Sequence, residues 1–128
     1  MSAQTPYAIL GEDKIRELAS AFYDVMDENT EAQDIRKMHA DNLDEIKQKL
    51  FEYLVGWMGA PKHLYKEKYG TVCLTKPHEG YGINEAHRDQ WMMCFREALN
   101  RIEAPEAVKT MLENPLLSMA DMMREDRG

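Results

Sequence analysis

The chain has 128 residues, 44% hydrophobic and 30% charged, a globular balance at the size of one compact domain, so residues 1–128 are expected to share a single core. Lys and Arg number 16 against 23 Asp and Glu, and the formal charge of -7 argues against nucleic acid and anionic membrane surfaces as partners. No stretch is long and apolar enough to span a bilayer, and the first residues lack the basic-then-apolar order of a signal peptide, so a cytoplasmic location is expected.

The apolar pattern is helical almost throughout. Ile15, Leu18, Ala19, Phe22, Val25 and Met26 recur at spacings of three and four and predict a first helix from Glu12 to about Asn29. Asp27-Glu28-Asn29-Thr30 ends it, and a weakly periodic segment runs from Glu31 to Met38. Asn42 is a good cap for a second helix, whose apolar positions are Leu43, Ile46, Leu50, Tyr53, Leu54 and Trp57 and whose end is Gly59-Ala60-Pro61. From Pro61 to Ile83 the glycines and prolines predict loop with one short helical piece. Asn84 caps a third helix to about Ala104, with a stripe of Trp91, Cys94, Phe95, Ala98, Leu99 and Ile102. A last helix begins at Pro105, and Pro115 inside it predicts a kink or a break with Asn114 as a new cap. Nothing alternates with period two, so the fold class is all-α. Cys73 and Cys94 form no CxxC pair and are expected to be reduced thiols, with Cys94 facing the core.

The connection from Pro61 to Ile83 is long for a helical domain, and such connections tend to be functional. It ends in Lys76-Pro77-His78-Glu79-Gly80-Tyr81-Gly82-Ile83. An imidazole on a short constrained segment suits axial ligation of haem iron, although a lone loop histidine is more often solvated or structural.

Further pieces occur in order along the chain: Tyr7-Ala8-Ile9-Leu10-Gly11, Phe22-Tyr23, His39, the Leu50 to Trp57 helix, His78-x-x-Tyr81-x-Ile83, and Arg88-Asp89-x-Trp91 with Cys94. The set resembles the second group of the truncated haemoglobins from about Tyr7 to Leu99, with a looser match through the last helix. The resemblance implies a shortened globin fold, two antiparallel helix pairs (2-over-2) around one haem b. It implies His78 as the proximal iron ligand. Tyr23 and Trp91 become distal donors to a bound ligand, and His39 a pocket-edge residue. Ile46, Leu50, Tyr53, Tyr81 and Ile83 line the pocket. Where the family often has a basic residue before the proximal histidine, this chain has Pro77, and Lys76 is the substitute for contacts to the haem propionates. Ala60 and Tyr81 also depart from the family, which commonly has Gly and Phe there.

Each of these residues has a plainer reading as well. Tyr23 and Trp91 suit core packing, and His39 suits a surface position at a helix junction if it is neither a distal donor nor an iron ligand. His63 and His87 are assigned to solvent or helix-start positions, and most of the ten methionines to the core.

The function implied is reversible binding of oxygen, carbon monoxide or nitric oxide. The alternative is a haem enzyme, a nitric oxide dioxygenase or a peroxidase-like catalyst. No flavin or nicotinamide fingerprint is present, so such a cycle needs an external reductase. A haem-free helical interaction module is the remote alternative, and it leaves the ordered motifs as coincidence.

Overall fold

The computed structural model describes residues 4–70 and 80–126, and every regular element among them is helical. Helix α1 spans Pro6–Glu28, a 3-10 turn follows at Thr30–Ala32, and α2 is the single turn Gln33–Arg36. Next come α3, Asp44–Trp57, and the short α4, Leu64–Tyr69. Helices α5, Glu85–Arg101, and α6, Glu106–Met122, complete the order.

The first helix starts earlier than its apolar period indicates. Thr5 caps Pro6 and the following residues by accepting the Ala8 N–H at 3.0 Å, and the run is interrupted at Gly11, where φ is +80° and ψ is 163°. The interruption removes the short leading turn from the periodic stripe, so the sequence pattern begins only past Gly11. The stripe itself is as expected: Ile15, Leu18, Ala19, Phe22, Val25 and Met26 are all buried.

Three other boundaries shift. Helix α3 begins at Asp44 because Asn42 acts two residues upstream, its Oδ1 accepting the Asp44 N–H at 2.8 Å. Helix α5 ends at Arg101 rather than near Ala104, and Pro105 precedes the first residue of α6 instead of being that residue. Pro115 does not break α6, and Asn114 caps nothing, since the helix runs through both. The carbonyl that loses its N–H partner belongs to Met111, four residues back, and that residue is exposed, so water can serve it.

Helices α1 and α3 run antiparallel. Tyr7 donates its N–H to the Met58 carbonyl at one end, and Lys47 pairs with Asp24 at 2.7 Å towards the other. Helices α5 and α6 form a second antiparallel pair, joined by Arg88–Asp121 at 2.9 Å and by Arg96–Glu113. The two pairs meet where α1 packs on α5, through Phe22, whose ring centroid lies 5.4 Å from that of Trp91 and 5.2 Å from that of Phe95. Each such ring pair adds roughly 0.5–1.5 kcal/mol beyond its area burial. Cys94 is buried in this core and its thiol is pushed up to about 11 by burial, whereas Cys73 lies outside the described residues. No helix among the described residues is long and apolar enough to cross a membrane.

Helix α4 leans on α3 through His63, which caps α4 by accepting the Lys66 N–H and lays its ring against Gly56. A Cβ at position 56 would fall on the imidazole ring atoms, at the root of the side chain rather than at a flexible tip. Gly56→Ala is therefore expected to destabilise the protein by about 1–3 kcal/mol despite the better helix propensity of alanine. Urea unfolding followed by circular dichroism measures this, and an unchanged or raised midpoint would contradict the close approach.

Candidate functional site

Helix α3 has two apolar faces. Phe51, Leu54, Val55 and Met58 are buried in the core. Ile46, Leu50 and Tyr53, spaced by four and three, instead line a cavity of about 340 Å³. The sequence stripe of this helix therefore mixes core and cavity positions: Tyr53 and Leu54 are buried, while Leu43, Ile46, Leu50 and Trp57 are only partly covered.

Tyr23 reaches the same cavity from α1 because it follows Phe22. One residue is a turn of about 100° around a helix axis, so with Phe22 in the core Tyr23 faces sideways. Its phenol is buried, and burial alone drives its pKa well above the ordinary tyrosine range. Among the described residues its hydroxyl makes no hydrogen bond. Its ring stands edge-on to that of His39, with centroids 5.4 Å apart. His39 Nδ1 lies 2.8 Å from the Ile35 carbonyl, which can only accept, so Nδ1 carries a proton.

Trp91 enters from α5, half-buried, and its indole N–H makes no hydrogen bond among the described residues. Tyr81 and Ile83 line the cavity from the segment before α5, and Met119 and Met123 line it from the end of α6. All eight described candidates thus share one space: Tyr23, His39, Ile46, Leu50, Tyr53, Tyr81, Ile83 and Trp91. His78 and Lys76 lie outside the described residues.

Several lining residues escaped the sequence reading. Lys49 and Arg88 both border the cavity. Arg88 is committed to Asp121, Asp89 and Glu85, whereas the ammonium of Lys49 has a 3.8 Å contact with Glu45 and sits over the Tyr69 ring. Lys49 lies three residues from Ile46, on the same side of α3, and that spacing was the available signal. His87 has two roles where none was expected. Its Nδ1 accepts the Asn84 N–H at 3.1 Å, completing a capping box with Asn84, and it also borders the cavity. His63 stands at a helix start, as expected, but as the cap of α4 it too has a role where none was expected, and it does not border the cavity.

The cavity is mostly apolar in its lining, with phenols, imidazoles and an indole N–H among the aliphatic and thioether groups and Lys49 and Arg88 at its border, the mix of apolar wall and few polar groups common to small-molecule sites. The family model for bacterial-like globins matches residues 6–125. The chain belongs to this family. It is similar to the cold-adapted truncated hemoglobin of the Antarctic marine bacterium Pseudoalteromonas haloplanktis TAC125, with 34% identity, a TM-score of 0.91, and coverage of 97% of this chain and 100% of that one. It is also similar to the group II 2-on-2 hemoglobin of Agrobacterium tumefaciens, with 32% identity, a TM-score of 0.89, and coverage of 98% and 97%. Group 2 truncated hemoglobin YjbI of Bacillus subtilis (strain 168) is 23% identical over 111 residues, 87% of this chain and 81% of that protein. The expected shortened globin is therefore the fold of this chain, and membership of the family implies a haem and a small diatomic ligand.

Burial of Tyr23 has a consequence that can be titrated. The folded protein favours its neutral phenol, so the associated stability is complete below the ordinary tyrosine range and is lost as pH rises towards the raised value. In a near-ultraviolet alkaline titration of the folded protein, one phenol is expected to ionise after the others and to be missing from Tyr23→Phe. Loss of an early-titrating phenol in that variant would contradict the buried placement.

Proposed function

We propose that the cavity holds haem b with His78 as proximal ligand, and that the protein reversibly binds oxygen, carbon monoxide or nitric oxide there. The observation that carries this reading is the convergence of Tyr23, His39 and Trp91, from three separate parts of the chain, on one apolar cavity. The haem, when bound, supplies the iron at which a diatomic ligand is taken up.

The protein's own groups do the rest. Tyr23 and Trp91 each offer a donor that the fold leaves without a described partner, so both can bond a ligand carrying partial negative charge. Burial keeps the Tyr23 proton in place across the physiological range. His39, its Nδ1–H fixed on the Ile35 carbonyl, stands edge-on to Tyr23 at the edge of the same pocket. Ile46 and Leu50 supply apolar lining. Lys49 is the described cation best placed to meet a propionate, and Lys76, the residue expected from sequence, is its counterpart before His78.

Absorption spectra of the haem-reconstituted protein, ferric, ferrous and under carbon monoxide, test the central assignment beside His78→Ala. A carbon monoxide shift that is lost or grossly altered in the variant is the expected result, and haem uptake indifferent to His78 would sink it. Tyr23→Phe and Trp91→Phe should each speed oxygen release by about ten- to a hundred-fold, the equivalent of one charge-assisted hydrogen bond. Stopped-flow displacement of oxygen by carbon monoxide measures this. Release rates unchanged in both variants would mean that these donors do not reach the ligand. Tyr23→Phe should meanwhile leave unfolding of the apoprotein within about 1 kcal/mol of the parent, since no described hydrogen bond is lost.

A further inference from the structure

The segment that carries Tyr81 and Ile83 is an unusual cavity wall. It belongs to no helix, and its glycines, Gly80 and Gly82, have φ of +89° and +65°, left-handed conformations that favour glycine and leave the segment outside any helical hydrogen-bond ladder. Its own backbone groups are served by the residues that follow α6. Glu125 donates its N–H to the Ile83 carbonyl at 2.7 Å, and its Oε1 accepts the Gly82 N–H at 3.2 Å. Asp126 Oδ2 accepts the Glu85 N–H at 3.2 Å, at the first turn of α5. The bracket is anchored in turn. Arg124 donates to Asp126 at 2.8 Å and to Asp121 at 2.9 Å, and Asp121 Oδ1 also accepts from Arg88 at 2.9 Å. Both guanidinium side chains are largely covered, at 18% exposure, so these pairs are better shielded than ordinary surface ion pairs.

We propose that Glu125 and Asp126 are positioning residues for the haem: by bracketing residues 82–85 they fix the Tyr81–Ile83 wall of the cavity. This rests on the proposed haem reading. A strap serving only overall stability would make the same hydrogen bonds, but it would not alter how the cavity grips its occupant. Tyr81 and Ile83 line the cavity directly, so loosening their backbone changes the pocket itself.

The test uses the full-length, haem-reconstituted protein. Glu125→Ala with Asp126→Ala removes two of the three bonds to the segment. Haem transfer to excess apomyoglobin should then be faster by about tenfold. The iron–histidine stretching band of the ferrous unliganded protein, read by resonance Raman, should shift or broaden. Glu125→Gln with Asp126→Asn keeps both acceptor oxygens and should restore the band and most of the slow transfer. Single Asp126→Ala should give an intermediate acceleration and serves if the double variant folds poorly. A lower urea midpoint with transfer rate and stretching band both unmoved would make the strap merely structural and overturn the proposal. Failure of the haem reading would show separately, as wild-type uptake that is absent or independent of His78, and would overturn both.

Discussion

The packing of Phe22 against Trp91 and Phe95, rings that also touch each other, is the constraint on which the rest of the molecule turns. It joins the α1–α3 pair to the α5–α6 pair. With Phe22 fixed in the core, helix geometry leaves the neighbouring Tyr23 no option but to face sideways, into the cavity, beside the Trp91 ring that packs on Phe22. Tyr23 and Trp91, two of the polar groups that line the cavity, are thus placed by one aromatic contact, and the precision of the site is inherited from the density of the core.

The cavity exists because α3 divides its apolar residues between two tasks. One face closes the core against α1, and the other is left facing space that no side chain fills. A helix with apolar residues over so wide an arc normally lies buried among protein on all sides. Here the second face suits the haem that membership of the globin family implies. The donors of Tyr23 and Trp91 fit the same picture: a buried phenol without a described partner is costly to the bare fold and useful only where something arrives to accept from it. Function and stability pull against each other at these positions, as they commonly do at binding sites.

The ends of the helices show how local chemistry frames that space. Asn84 and His87 close a reciprocal cap at the start of α5, so the helix that carries Trp91 begins at a defined residue. The residues after α6 then bond the stretch just before that cap, linking the last turn of the chain to the wall containing Tyr81 and Ile83. His63 plays a comparable part for α4, seated on the bare backbone of Gly56.

Much of this was legible in the residues alone. The period of three and four in α1 and α5 named their buried faces, Asn84 named a helix start, and the ordered motifs from Tyr7 to Trp91 pointed to a globin and to residues that border one cavity, because both signals are local or depend only on order along the chain. Tertiary structure decided what local pattern cannot encode. Whether Ile46 and Leu50 meet protein or empty space depends on partners distant in sequence, and the amphipathic period is the same in either case. The continuation of α6 through Pro115 is visible only in the folded chain, and the tautomer of His39 depends on the position of the Ile35 carbonyl. The strap from Glu125 and Asp126 to residues 82–85 spans about forty positions of chain, and nothing in either segment announces the other until the helices between them have packed.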